Sequence, residues 1–333
     1  MKKLIALMMV LMLVFSLAAC TAEEAAPAEG APAEAAAEGP VKPEGEIVVG
    51  GAASYTGNYY IDGSAFAEAF NRSGASASVI LSGGTANIIA VGDGTMKIGP
   101  TGAISLLDSY AGTNEVYPRV YDDVVALFAM DMFTNYFIVP ADSPIQSVAD
   151  LKGKTVVTGE ISSTSYVCFE DYLKAYGMTA DDLGEVRTAS MGEGKDMIAD
   201  KLVDAFFMNS GVPNATILEM CTSCDVRIIP VDAEHQEAIL ACSEAYQPYV
   251  LPAGTYKGQD EDIAMVGFKN LVIVNKATPD GEVTWMLDSI LENWDYIKTA
   301  CTWLSDLTLE DVANCGNFEL HPAAKAYFEA KIG

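Results

Sequence analysis

Short apolar runs alternate with helical patterns along the chain from about residue 46 to its end. The apolar runs predict strands at 46–50, 77–81, 97–99, 124–130, 136–139, 155–158, 205–208, 226–229 and 271–274. Apolar residues spaced by three or four predict helices at 58–71, 103–110, 166–176, 197–201, 215–220, 283–300 and 323–330, with helices in most of the remaining C-terminal part. This alternation predicts an α/β architecture with mostly parallel sheets.

Four loops that follow predicted strands are rich in Gly, Ser, Thr and Asn, namely residues 51–59, 82–86, 159–165 and 209–214. In parallel sheets ligands bind beyond the carboxyl ends of the strands. Each loop also precedes a helix, whose first N–H groups can receive an anion such as a carboxylate. Ordinary helix caps use the same residue types, so one such loop predicts little. Four at corresponding positions predict one composite binding site.

The chain begins with a different pattern. Lys2 and Lys3 precede an apolar run from Leu4 to Phe15, and Leu17-Ala18-Ala19-Cys20 follows. This is the order of a secretory signal peptide, and the run is short of the roughly 20 residues that span a bilayer. A cysteine directly after Leu-Ala-Ala resembles the lipobox of bacterial lipoproteins. The resemblance implies removal of residues 1–19 and acylation of Cys20.

Residues 20–45 form an acidic segment of Ala, Glu, Pro and Gly in which Val41 is the only large apolar side chain. Such a segment buries too little apolar surface to offset the entropy of ordering it. Its prolines oppose a continuous helix. We therefore predict a disordered spacer between Cys20 and a folded part that starts near Glu46.

Composition limits the partners and the chemistry. The formal net charge of −27 makes nucleic acid an improbable partner, and membrane attachment would have to come from the lipid. The length beyond the spacer favours two domains. Cys221-Thr-Ser-Cys224 has the spacing of a redox motif or half a zinc site, but it follows a helix instead of opening one. A local disulfide and two free thiols both remain open.

Catalytic motifs are mostly missing from the sequence. The two histidines, His235 and His321, are far apart, and no G-x-S-x-G elbow occurs. Gly153-Lys154-Thr155 lacks the first glycine of a P-loop and precedes a strand, which argues against a nucleotide site. We therefore expect a protein that is not an enzyme and that holds no metal and no cofactor.

From Glu46 to the C-terminus the chain resembles the TAXI family of TRAP-transporter solute-binding proteins. The segments that carry the resemblance are 51–60, 82–87, 145–154, 204–207, 211–214, 252–262 and 320–324. Among them, Pro252–Asp262 and Leu320-His321-Pro322-Ala323-Ala324 are the most specific. The Gly and Pro residues of 252–262 suit structural turns, and His321 before Pro322 is typical of a helix start.

The resemblance implies a type II periplasmic-binding-protein fold, with two α/β domains around a ligand cleft. Domain one would comprise 46–135 plus 255–333, and domain two 136–254. The protein would be a monomeric receptor on the outer face of the cell membrane (the periplasmic side where two membranes exist). It would capture a small carboxylate, such as glutamate or 2-oxoglutarate, and deliver it to a TRAP-type permease driven by an ion gradient.

The same resemblance implies ligand contacts from all four loops. The candidates are Thr56, Gly57, Asn58, Tyr59, Gly84, Thr85, Glu160, Ser162, Ser163, Thr164, Asn209 and Ser210. The sequence departs from the family at Ile61-Asp62, at 100–103 and in the loop around Glu160. None of the four loops contains Arg or Lys. Glu160 would repel a carboxylate if it pointed inward, so it either faces solvent or pairs with an amine of the ligand.

Two alternative functions remain open at this stage. A lipid-anchored sensor input, which presents its ligand to a signalling protein, would share all of these residues. A paired-carboxylate extracellular hydrolase is the weaker alternative, because no other part of a catalytic site accompanies the scattered acids.

Overall fold

The computed structural model describes residues 39–112, 116–161 and 163–333. The expected signal peptide, Cys20 and most of the acidic spacer lie outside the described residues, as does Ser162. The described residues belong to one compact unit.

Ten strands form a single mixed sheet among the described residues, in the order β2-β1-β3-β10-β4-β7-β5-β6, with β8 paired to β4 and β9 to β10. The strands are β1 Glu46–Gly50, β2 Ser76–Ile80, β3 Ile98–Gly102, β4 Val124–Pro140, β5 Thr155–Thr158, β6 Glu185–Thr188, β7 Ala205–Ser210, β8 Val226–Ile228, β9 Tyr246–Leu251 and β10 Ile263–Asn275.

Helices follow most of the strands. They are α1 Asn58–Arg72, α2 Gly84–Gly92, α3 Ala103–Ala111, α4 Thr164–Ala175, α5 Met191–Ala199, α6 Ala215–Ser223, α7 Ala233–Leu240, α8 Asp280–Glu292, α9 Trp294–Ala300, α10 Leu309–Ala313 and α11 Pro322–Ile332. Short 3-10 turns lie at Val148–Leu151, Ala180–Asp182 and Thr302–Leu304.

Two long strands join the two halves of the sheet. The residues of β4 from Val124 to Thr134 pair with β10, and those from Thr134 to Ile138 pair with β7. Strand β10 pairs with β9 over Ile263–Phe268 and with β3 over Asn270–Val274. One half therefore contains β1–β3 and the other β5–β7, and the chain passes between them along β4 and β10.

The composition of β4 explains its central place. Val124–Met130 is an unbroken apolar run, and nearly every residue of the strand is buried. A strand that is covered on both faces needs apolar side chains in both directions. Phe128 packs edge-on against Phe66 of α1, with ring centroids 5.6 Å apart, so the helix is held against the sheet by its apolar face.

The prediction of mostly parallel sheets holds within each half but is wrong at the centre. Described strand pairs are parallel in four cases and antiparallel in five. The two strands predicted at 124–130 and 136–139 are also one continuous strand, β4. Asp131, Thr134 and Asn135 interrupt its apolar run, but their backbones remain in the sheet while the pairing partner changes from β10 to β7.

Two further differences lie in the C-terminal part. The expectation that helices fill most of it missed β9, in which Gln247 and Pro248 interrupt the apolar pattern, and the first half of β10, although residues 263–268 are all apolar or glycine. The helix predicted over 283–300 is two helices, because α8 ends at Glu292 and α9 begins at Trp294.

Two sequence predictions about turns are confirmed. Gly254 and Gly258 both have positive φ, and the Gln259 side chain donates to the backbone oxygens of Leu251, Pro252 and Glu261, so the 252–262 motif is structural. His321 is the N-cap of α11: its Nδ1 accepts from the Ala323 N–H, and Pro322 follows in the first turn.

The six cysteines within the described residues are all free thiols. Cys221 is buried near the end of α6 and Cys224 is partly exposed. Of the two alternatives left open for this pair, the structure therefore has the free thiols. No helix in the described part of the chain is long and apolar enough to cross a bilayer.

Candidate functional site

A cavity of about 130 Å³ lies between the two halves, at the carboxyl ends of the parallel strands. Its lining includes residues from all four predicted loops. A volume of this size holds several water molecules, and hence a small organic solute. The arrangement follows from topology, because the carboxyl ends of the parallel strands in each half face the gap that the long strands bridge.

Most of the predicted contact residues line this cavity. They are Gly57, Asn58, Tyr59, Gly84, Glu160, Ser163, Thr164 and Asn209. Glu160 is exposed at the edge of the cavity, whereas Asn58, Tyr59 and Thr164 are buried. Their roles in binding remain a proposal.

Three predicted residues are not part of the lining. Thr56 is exposed, and its hydroxyl lies 3.4 Å from that of Ser54. Thr85 and Ser210 are buried behind the cavity wall, and the Ser210 hydroxyl donates to the Gly211 carbonyl. Sequence patterns select such loops correctly but do not give the direction of each side chain. Ser162 lies outside the described residues.

The sequence reasoning missed several lining residues. Ser54, Phe133, Ser165, Ser190, Met191, Phe206 and Met208 all line the cavity. Phe206 and Met208 belong to an apolar strand whose pattern indicates core, and Phe133 lies between the strands predicted at 124–130 and 136–139. A signal for Ser190 was present: Ser190 and Glu193 form a capping box, which marks a helix start directly after β6.

Four helices begin at the cavity. Residues Asn58, Gly84, Thr164 and Met191, which open α1, α2, α4 and α5, all belong to its lining. The first N–H groups of a helix have no intrahelical acceptor, and the helix start carries a partial positive charge. The four helix starts therefore contribute positive potential to the cavity.

The starts of α2 and α4 approach each other closely across the two halves. A Cβ added at Gly84 would sit 2.8 Å from Thr164 Oγ1, which is too close for any side chain. Thr164 Oγ1 also shares a 2.8 Å hydrogen bond with Ser105 Oγ of α3. Glycine at position 84 thus permits two helix starts to face one small space.

Below the cavity, Tyr59 begins a chain of hydrogen bonds into the core. Its hydroxyl donates to Asn270 Oδ1 at 2.6 Å, and Asn270 Nδ2 donates to Asp131 Oδ1 at 3.3 Å. Burial raises the pKa of Tyr59 well above its usual value, and the nearby Asp131 and Asp62 raise it further. Tyr59 is therefore a neutral donor, and its ring stacks on Phe133 with centroids 5.2 Å apart.

Asp62 is a buried carboxyl on α1, close to this chain. It is 0% exposed, and its Oδ1 accepts from the Trp303 indole at 3.0 Å. Burial raises its pKa to about 7, and hydrogen bonds with Cys301 and Trp303 offset only part of the shift. Burial and the Asp62 charge also raise the pKa of Asp131. The two acids are therefore not ordinary ionised surface groups.

The chemistry of the lining is that of a binding site. Its polar groups are hydroxyls, amides and one exposed carboxylate, with no Arg, Lys or His among the described lining residues. No cluster of three or more His, Cys, Asp or Glu within the described ranges could hold a metal ion. Such a set can accept hydrogen bonds from, and donate them to, a small solute.

Comparison with known proteins places the chain in a family. The profile of the NMT1-like family matches residues 51–331, which is most of the chain. The chain belongs to the NMT1-like family. Membership of the narrower TAXI group remains a proposal.

Solved structures with the same fold include binding proteins. The periplasmic binding protein BugD has a TM-score of 0.56 at 14% identity, over 87% of this NMT1-like chain and 95% of its own. MatC from Rhodopseudomonas palustris, solved with bound malate, has a TM-score of 0.53 at 15% identity, over 78% and 88%. A Xanthomonas citri protein bound to chloride ion has a TM-score of 0.50 at 14% identity, over 86% and 95%. These similarities confirm the predicted α/β periplasmic-binding-protein fold.

Proposed function

We propose that this NMT1-like protein is an extracytoplasmic receptor that captures a small carboxylate in the cavity between its two halves. The observation that carries the proposal is the meeting of four helix starts, from both halves, at one small cavity. Helix starts bind anions through free N–H groups and the helix dipole. The receptor would release the solute unchanged, so it is not an enzyme.

The division into two domains supports capture by closure. Domain one would comprise 46–135 plus 255–333 and domain two 136–254; β4 spans the first boundary, and the second lies between β9 and β10. The pairing partner of β4 changes at Thr134, close to the proposed boundary. Hinge motion at these strands would close the halves over the ligand, as in other two-domain binding proteins.

Delivery to a TRAP-type permease and anchoring through Cys20 complete the proposal. A lipid on Cys20, followed by a stiff acidic spacer, would keep the receptor beside its permease and raise their effective concentration. Sequence resemblance supports both the delivery and the anchoring. A neighbouring gene for a permease with many membrane spans would favour transport over a sensor role.

Thermal-shift screening tests the proposal. Purified protein is heated with each member of a panel of organic acids and amino acids, with malate included because MatC was solved with it. A ligand that binds the folded state raises the unfolding temperature as its concentration grows relative to Kd. We expect at least one carboxylate to do so and to be recovered intact by NMR. A panel without a concentration-dependent shift, or a hit that is converted to product, would contradict the receptor proposal.

A further inference from the structure

The first observation concerns uncapped helix starts in domain one. Helices α1 and α2 begin after Gly57 and Gly83, and neither residue caps the helix with a side chain. By contrast, Ser163 and Ser190 cap α4 and α5 with their hydroxyls. The first N–H groups of α1 and α2 therefore lack a side-chain acceptor and are free for an anion.

The second observation is an unpaired hydroxyl in the same cavity. Ser165, in the first turn of α4, is 9% exposed and lines the cavity. Its Oγ is buried and has no hydrogen-bond partner among the described residues. A buried hydroxyl without a partner is costly, since it loses its hydrogen bonds to water. A ligand oxygen in the cavity would supply the missing partner.

The third observation is the absence of a balancing cation. The described lining residues include no Arg, Lys or His, and the one charged group among them is the carboxylate of Glu160. The four helix starts provide about half an elementary charge each, and the Glu160 carboxylate offsets part of it, so the balance suits a single carboxylate. A second carboxylate would meet no cation, and it would lie in a protein whose net charge is −27.

The fourth observation is the apolar remainder of the cavity wall. Its large apolar side chains are those of Tyr59, Phe133, Met191, Phe206, Phe207 and Met208. Methionine side chains adapt to irregular apolar shapes, and the Tyr59–Phe133 pair offers a flat aromatic surface. This wall suits hydrocarbon and would leave a charged group unsolvated.

We propose that the ligand is a compact monocarboxylate with an apolar body, bound through the Ser165 hydroxyl of α4 and the N-terminal ends of α1 and α2, and that the site rejects dicarboxylates. The inference rests on the proposed receptor function and narrows its ligand class. It departs from the glutamate and 2-oxoglutarate that the family resemblance implies.

A pair of matched ligands tests the inference on the full-length protein, purified in detergent. Malate and 2-hydroxy-4-methylpentanoate share the 2-hydroxy acid group and differ in one place, where an isopropyl group replaces the second carboxylate. Isothermal titration calorimetry should show malate binding at least about 30-fold more weakly, because its second charge has no partner. Equal or tighter binding of malate would overturn the inference and leave the carboxylate receptor intact.

A matched pair of variants tests the role of Ser165. Ser165→Ala should weaken the binding of 2-hydroxy-4-methylpentanoate about tenfold, because the loss of one hydrogen bond to a charged group usually has an effect of this size. Ser289→Ala is the control, since Ser289 is a buried helical serine at 2% exposure outside the cavity. An unchanged affinity in Ser165→Ala would overturn the assignment of the carboxylate to this hydroxyl.

The two proposals can fail separately. If neither 2-hydroxy acid binds while another dicarboxylate from the thermal-shift panel does, the monocarboxylate inference is overturned and the receptor stands. If no solute shifts the unfolding temperature, the receptor proposal fails and the inference with it.

Discussion

Replacing Asp62 by Asn should change how the stability of the protein depends on pH. The carboxyl is fully buried, its Oδ2 has no hydrogen-bond partner in the described part of the chain, and burial raises its pKa from 3.8 to about 7. Asn keeps the shape of the side chain and an oxygen that can accept from the Trp303 indole, but it does not ionise.

The sign of the effect follows from proton binding. Below pH 4 the carboxyl is protonated in both states and contributes no pH dependence. Between pH 4 and 7 the unfolded chain loses this proton while the folded protein keeps it, so folding becomes less favourable as pH rises. Above pH 7 this loss of stability has reached its full value and no longer changes with pH. The rise of the Asp62 pKa from 3.8 to about 7 corresponds to a loss of about 4 kcal/mol in the free energy of unfolding. The Asn variant would avoid this loss.

Urea unfolding of both proteins at pH 4, 5.5, 7 and 8 measures the effect. The free energy of unfolding of Asp62→Asn minus that of the wild type should rise by about 4 kcal/mol between pH 4 and pH 8. Glu68→Gln controls for the loss of one negative charge, because Glu68 is exposed on the same helix and pairs with Arg72. A difference for Asp62→Asn that stays constant across the pH range would refute the reasoning.

Three other substitutions test the cavity and its support. Gly84→Ala places a Cβ 2.8 Å from Thr164 Oγ1 and should weaken ligand binding at least about tenfold; Gly192→Ala, whose Cβ meets nothing within 4 Å, should not. Glu160→Gln should strengthen the binding of anions about twofold by calorimetry and leave the ratio of the affinities for an amino acid and its 2-oxo analogue unchanged. A selective loss of affinity for the amino acid would show that Glu160 pairs with an amine. Asn87→Ala removes the buried hydrogen bonds from the Asn87 amide to the carbonyls of Gly51 and Pro100, and it should lower the free energy of unfolding by about 3 kcal/mol. A loss below about 1 kcal/mol would mean that water replaces the amide.

The sequence predicted the loops of the site better than its individual side chains. Gly57, Asn58, Gly84 and Thr164 follow strands and open helices, and this local pattern is enough to place them at the carboxyl edge of a sheet. Whether a side chain then faces the cavity depends on its φ, ψ and χ angles and on its neighbours. Thr85 follows Gly84 directly, yet it is buried behind the wall.

The centre of the fold was the least predictable part. The pairing of β4 with β10 joins residues more than 130 positions apart, such as Phe133 and Phe268. Hydrophobic periodicity is a local signal and cannot specify such a partner. For the same reason the sequence gives no sign that Phe133, which lies between the strands predicted at 124–130 and 136–139, lines the cavity.

The buried acids show a different limit. Asp62 lies in an amphipathic helix, where an acid usually faces water, and only the packing of Trp303 and Cys301 against α1 encloses it. The sequence marked this position only as a departure from the family, at Ile61-Asp62.

A structure of the protein with its best thermal-shift ligand tests the central claim most directly. We expect the ligand in the cavity between the two halves, with its carboxylate within hydrogen-bond distance of Ser165 Oγ and of first-turn N–H groups of α1 or α2. A ligand bound elsewhere on the protein, or a carboxylate in the cavity held by a lysine or arginine, would contradict the account.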